Sequence, residues 1–350
     1  MSAPLALNYA AGRSLRPWGI GRLLATLLVC AAGWAAVAAG CVCVGSTTTG
    51  FHWPRSAETL AVRLDTVLIA SLIGAALAAA GVAYQAVLRN PLADPYLLGV
   101  SSGASLASYL WRLSPIAAVA VLAAVTSQQA FALLGAVLSV GVVFGLSTVR
   151  GRLEPVTLLL VGVIVNAVNG AVFLLVNALD LDRAGPTGGA TAFLVGGIQP
   201  DLTLGQELAA TVMVAVGWVA LLYLSGQLNA AALDEAEAVA LGVRVHRLRW
   251  AALGAASMMT AAAVAVSGPI GFVGLICPHV ARRLVGSDPR RALPVATAVG
   301  ACLLSIADAA SRMMASPAHA GTRLPVGVLT GLLGGPFFLL LLWRSRRRGG

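Results

Sequence analysis

Three asparagines, Asn166, Asn169 and Asn177, interrupt the apolar run VTLLLVGVIVNAVNGAVFLLVNAL, with Gly162 and Gly170 between and before them. At 3.6 residues per turn all five share one face of a helix. An amide bonds hydrogen without carrying charge, so such a stripe can tie one helix to another or line a corridor that passes a large solute without gripping it. Left against lipid it would cost several kcal/mol, so it must face protein or water. Other reactive residue types are sparse. The five cysteines (Cys30, Cys41, Cys43, Cys277, Cys302) show no paired, zinc-type spacing and read as small apolar fillers. His279, just after Pro278, reads as a packing or hydrogen-bonding residue, and no metal site is expected. With no clustered His, Cys or acid pairs, no catalytic residue is assigned and the chain is not expected to be an enzyme. It contains no lysine, so it cannot carry the G-x-x-x-x-G-K-[ST] loop whose lysine reaches nucleotide phosphates. If ATP and Mg drive anything here, another polypeptide binds them, and no cofactor is expected on this chain.

The elements that position the stripe follow from composition. Of 350 residues 59% are apolar and 10% charged, and apolar runs of about twenty residues, enough to cross a hydrocarbon core of about 30 Å, recur from end to end. Barrel-like alternation is missing, so the spans are helices. The expected fold is all-α: a polytopic integral membrane protein, residues 1–350 forming one transmembrane domain with about ten spans near 19–44, 62–88, 96–124, 127–149, 156–179, 203–225, 250–267, 270–285, 293–314 and 325–343. The apolar run Ile20–Val44 exceeds a typical signal-peptide core and is read as an uncleaved first span. With ten spans, most arginines fall on the side of both termini, leaving only Arg55, Arg63, Arg112, Arg183, Arg312 and Arg323 opposite. Basic residues near span ends mark the cytoplasmic side, so both termini are expected there. This orientation accounts for the net charge of +10 without invoking nucleic acid.

Two breaks stand out. RNPLADPYLLGVSSGAS, residues 89–105, follows a helix whose Gly74, Ala78, Gly81 and Gln85 form a narrow face suited to close packing. Pro91 and Pro95 disfavour helical geometry in Asn90 and Asp94, which predicts a rigid cytoplasmic corner. The Gly/Ser residues beyond it are tolerated at membrane depth only where buried in protein or facing water. SGPIGFVGLICPHVARRLVG, residues 267–286, is the second break, at the outer end of span seven. Spans two and seven run in opposite directions, so if the halves are related they form an inverted repeat. Between spans six and seven, residues 228–249 read as a short surface helix carrying Asp234, Glu235 and Glu237, stopped by Gly242 and followed by interfacial arginines.

The stretches RLDTVLIASLIGAALAAAGVAYQAVLRNPLADPYLLGVSSGA, VTLLLVGVIVNA, SGPIGFVGLICPHVARRLVGSDPRRALP and LPVGVLTGLLGGPFFLLLL, in this order, resemble the permeases of type II ABC importers for iron-siderophore complexes, haem and cobalamin. The resemblance covers roughly residues 60–343. It implies a homodimer in the bacterial plasma (inner) membrane around a central pathway, two cytoplasmic ATPase subunits, and a periplasmic or extracellular substrate-binding protein. It places Gly162, Asn166, Asn169, Gly170 and Asn177 along the pathway, and makes 228–249 the coupling element seated in the ATPase. Asn90 and Leu92 match cytoplasmic gate positions, with Pro155 and Val156 as neighbours, while Arg63 and Arg312 match positions that dock the binding protein. The chain departs from the pattern in RLDT, where Asp65 and Thr66 replace proline and arginine, and at Arg323, where glutamate is usual and which is expected to supply a docking charge. An ion-coupled secondary transporter is the alternative, but no ionisable residue suited to a driving ion is legible in mid-span. The residues do not choose among the cargoes.

Overall fold

The computed structural model describes residues 19–45, 51–54, 56–96, 98–113, 128–149, 152–153, 155–179, 196–198, 202–231, 238, 243–314 and 324–348. Ten principal helices lie among them: α1 (Ile20–Cys43), α2 (Ala57–Val87), α3 (Val100–Leu113), α4 (Gln128–Ser147), α5 (Pro155–Leu179), α6 (Leu204–Ala231), α7 (Val245–Ser267), α8 (Val273–Val285), α9 (Pro289–Met313) and α10 (Val326–Arg348). A two-residue antiparallel ladder, β1 (Thr148–Val149) with β2 (Arg152–Leu153), joins α4 to α5. Seven helices, α1, α2, α4, α5, α6, α7 and α9, are long and apolar enough to cross a membrane. The described parts of α3 and α8 have 14 and 13 residues, about 20 Å each at 1.5 Å per residue. Both helices start at the two breaks.

Local signals start several helices as expected. The Ser56 hydroxyl accepts from Thr59 N–H (3.2 Å) ahead of α2. Asp288 accepts from Arg290 N–H (3.0 Å) ahead of α9, whose first residue is proline, the ring's preferred place in a helix.

Helices α2 and α7 are the buried centre, and Tyr84 of one meets Ser257 of the other, hydroxyl to hydroxyl, at 2.7 Å. Lipid gives no hydrophobic drive between helices, so close packing must supply the attraction, and small residues permit it. A Cβ added at Gly74 would overlap the Gly300 carbonyl on α9, and one at Gly81 would overlap Gly274 at the start of α8. Gly103 of α3 and Gly135 of α4 touch in the same way.

Packing partners repeat with an offset of five helices. α2 packs on α9 and α7 packs on α4; α3 lies on α4 as α8 lies on α9. Exchanging α2 with α7, α3 with α8 and α4 with α9 turns each contact into the other of its pair, and an odd offset of five reverses direction, which is the inverted-repeat arrangement.

Replacing Gly300 with leucine should force α2 and α9 apart and lower stability by about 1–3 kcal/mol or more, the usual cost of overpacking. Gly141, whose added Cβ would meet nothing within 4 Å, should accept alanine with an unchanged unfolding midpoint. Thermal unfolding of both variants in detergent checks the contrast.

Candidate functional site: the junction of two broken helices

After α2 ends, the chain reverses at Arg89, which takes a left-handed φ of 50°. Asn90 N–H donates to Gln85 C=O (3.2 Å), and the Asn90 side chain accepts from Leu92 N–H (2.9 Å), stiffening the turn around Leu92. The corner does not stay at the helix end, where the prolines alone would leave it. It folds back along α2, so that a Cβ on Gly274 would touch Asp94, Pro95 and the Leu77 carbonyl together. Leu77 lies about 15 Å back along α2 from Val87. The chain is therefore re-entrant, and α3 begins well inside the protein.

Asp94 is 4% exposed and spends both oxygens on backbone. One accepts from Tyr96 N–H (3.1 Å) in its own corner; the other accepts from Phe272 N–H (3.1 Å) at the start of α8. Gln85, also buried, donates its amide to Ala93 C=O (3.2 Å) and Gly274 C=O (3.1 Å). One carboxylate and one amide thus satisfy backbone groups of both breaks at a single place. A carboxylate beside the first turn of α8 also meets the positive end of that helix. Phe272 itself has φ 69°, a conformation that costs a non-glycine residue of order 1–3 kcal/mol, and its ring packs on Gly334 of α10. Sequence reading noted Asp94 only as a residue before proline. Its signal was an acid isolated in apolar sequence, which in a membrane chain marks function or a specific partner.

The other Gly/Pro segments meet the end of α7. Gly197 N–H donates to Ser267 C=O (2.8 Å) and Gly327 N–H to Gly196 C=O (2.9 Å), joining residues 196–198, SGPIGF and LPVG.

The amide stripe of α5 faces protein. Asn166 donates to Tyr96 C=O (2.8 Å), Asn169 to the hydroxyls of Ser102 (3.0 Å) and Ser139 (3.2 Å), and Asn177 accepts from Tyr109 (2.9 Å). Gly162 is buried, and a Cβ on Gly170 would meet nothing within 4 Å. These contacts are interhelical ties to α3 and α4, and they explain the Gly/Ser start of α3. The outward edge of α5, with Val163, Ile164 and Val168, is apolar and exposed. Pro155 and Val156 open α5, next to the ladder.

Arg63 and Arg312, expected at the docking face, lie buried against the end of α1. Arg63 is 9% exposed and donates to Val42 C=O (3.1 Å) and His52 C=O (3.2 Å). Arg312, at 7%, donates to Val44 C=O (3.1 Å) and Cys41 C=O (3.3 Å) and pairs with Asp308 (3.0 Å). The last carbonyls of α1 have no partner within their own helix, and cations suit that negative end. Both guanidiniums clamp α1 and neither projects outward. Asp234, Glu235, Glu237, Gly242 and Arg323 lie outside the described residues. Beside the loop, Val243 N–H donates to Ala238 C=O (3.1 Å).

An all-helical bundle with inverted pairing, in which two discontinuous helices meet at one buried carboxylate, defines a polytopic membrane transport protein. The chain belongs to the FecCD transport family, whose family model matches residues 23–344. It is 38% identical over 294 residues to the hemin transport system permease protein HmuU of Yersinia pestis, covering 83% of this chain and 84% of that one. It is 38% identical to the Fe(3+) dicitrate transport system permease protein FecD of Escherichia coli (81% and 84% covered) and 38% to the cobalamin import system permease protein BtuC of Halobacterium salinarum (83% and 75%). The fold matches a solved metal-chelate type ABC transporter in an inward-facing conformation with TM-score 0.73 and 28% identity, over 92% of this chain and 99% of that one.

Asp94→Asn should place an amide donor against Phe272 N–H and lower stability by about 1–3 kcal/mol, the cost of an unsatisfied buried group. Because Gln85 braces the same loops, Gln85→Ala and Asp94→Asn should couple by about 0.5–3 kcal/mol in a double-mutant cycle. Chemical denaturation in micelles measures both. Additive effects would show that the two groups hold their loops independently.

Proposed function

We propose that this chain is the permease subunit of an ATP-driven importer. It takes a large iron complex, siderophore or haem, or cobalamin from a binding protein and releases it to the cytoplasm by alternating access. The observation that carries this reading is the match along nearly the whole chain to permeases for hemin, ferric dicitrate and cobalamin. The permease works as a homodimer in the plasma membrane, with both termini cytoplasmic and the pathway between the two copies. The exposed apolar edges of α5 and α10, including Leu332 and Leu339, supply surface for the mate. Residues 228–249 couple the permease to two ATPase subunits, and the three amides of α5 border the pathway from its rim. Against the ion-coupled alternative, both oxygens of the buried Asp94 are occupied by backbone.

Lacking lysine, the chain cannot close a phosphate loop of its own. Reconstituted alone in liposomes it should show no ATP-dependent uptake, and adding the ATPase subunits and binding protein should restore it. Uptake by the chain alone on an ion gradient, unchanged by the ATPase, would overturn the reading.

Leu92, held by the Asn90 side chain, closes the cytoplasmic gate against its dimer mate. Leu92→Ala should leave the fold intact and raise leak of a small solute from proteoliposomes, because a narrow apolar constriction gates by excluding water. Leu92→Cys should crosslink across the dimer when the inner side is closed and less when it is open, since a disulfide needs Cα atoms within about 7 Å. No leak and no crosslink in any nucleotide state would move the gate elsewhere.

A further inference from the structure

A groove of about 580 Å³ opens between α1, α2, α6 and α9. It falls within the range of about 300–1,000 Å³ typical of small-molecule sites. Its wall is apolar, with Leu27 and Ala31 of α1, Leu72 of α2 and Ala298 of α9. The two indole N–H groups in the wall are already bonded inward, Trp34 to Ser71 (2.8 Å) and Trp218 to Thr297 (2.9 Å). Neither indole therefore offers a free donor to the groove. Helix α1 keeps much of its apolar surface exposed, with Leu28 70% and Val29 73% accessible, a surface suited to lipid.

Two carboxylates, Asp65 of α2 and Glu207 of α6, join this lining, close enough to interact electrostatically, and no described lining residue is basic. Their depth is set by the helices. Glu207 lies in the first turn of α6. Asp65 is about 33 Å along α2 from Val87, so with Val87 at one interface Asp65 stands at the other, across a core of about 30 Å. Asp65 is also where RLDT departs from the family pattern, and neither the transport reading nor the Asp94 junction uses it.

We propose that this groove binds a phospholipid with an amine headgroup, phosphatidylethanolamine, from the leaflet opposite the chain termini. One acyl chain fills the apolar wall, and the ammonium sits between Asp65 and Glu207. An ammonium offers three donors and no acceptor, which suits two carboxylates, whereas an anionic headgroup such as phosphatidylglycerol meets two like charges. The surrounding bilayer supplies the occupant.

The full chain, taken up in vesicles of equal phosphatidylethanolamine and phosphatidylglycerol and then released in mild detergent, is tested by native mass spectrometry of the retained lipid. The wild type should retain phosphatidylethanolamine severalfold over phosphatidylglycerol. Asp65→Asn and Glu207→Gln should each cut that ratio by about two- to fivefold, as expected of partly exposed charge pairs, while total retained lipid persists. Ala298→Phe, which fills the groove, should lose both lipids with an unchanged unfolding midpoint. Equal retention by the wild type, a preference that survives the double charge variant, or crosslinking of Ala31→Cys to a second copy of the chain would overturn the proposal. Should Ala298→Phe fail to fold, the charge variants decide, because they leave the packing volume nearly unchanged.

Discussion

Inside a bilayer a backbone N–H or C=O has no water to fall back on, so wherever a helix is broken the protein must supply the missing partner itself. This chain breaks twice near its centre, and Asp94 with Gln85 answers both breaks from one spot. The carboxylate takes N–H groups from Tyr96 and Phe272, and the amide gives N–H groups to Ala93 and Gly274. Donors and acceptors are matched in kind, an arrangement no apolar residue could copy. The left-handed backbone at Phe272 persists because these bonds and the Gly334 contact fix its position.

The same constraint explains the glycine pairs and the buried arginines. Backbone bonds between re-entrant segments require the helices around them to approach closely. Gly81 against Gly274 and Gly74 against Gly300 allow that along one face of α2, two turns apart. At the far end of α1, the problem is orphan carbonyls, and Arg63 and Arg312 solve it with long side chains whose charge is offset by those carbonyls and by Asp308.

Much of this architecture was legible in the sequence because hydropathy reports it directly. Among the described residues ten helices stand at the ten apolar runs, and α3 and α8 start at the two Gly/Pro breaks. The corner's destination was not legible. Proline stiffness predicts a turn at Asn90–Pro95, but the return alongside α2 depends on a bond from Asp94 to a residue 178 positions away. The partners of Arg63 and Arg312 were hidden for a related reason: their place near span ends fits an interfacial cation, and only the fold shows the α1 carbonyls within reach. The stripe on α5 was correctly confined to protein or water, while periodicity could not name Ser102, Ser139, Tyr96 and Tyr109 as its partners.

These bonds also join elements that sequence treats as separate. Asn166 holds Tyr96, two residues beyond Asp94, so α5 is tied to the corner that carries Asn90 and Leu92. Asn169 and Asn177 tie the same helix to α3, and Asp94 ties the corner to α8. A displacement of α5 that kept these bonds would carry the corner with it, and through Asp94 the start of α8. Losing one of these bonds without a substitute costs about 0.5–1.5 kcal/mol, and more at the buried Asp94 carboxylate. Rigid-body motion of this unit is therefore cheaper than bending within it. On the transport reading, Leu92 and the outward edge of α5 then belong to one moving part, and the mobile boundaries must be sought where fewer such bonds cross.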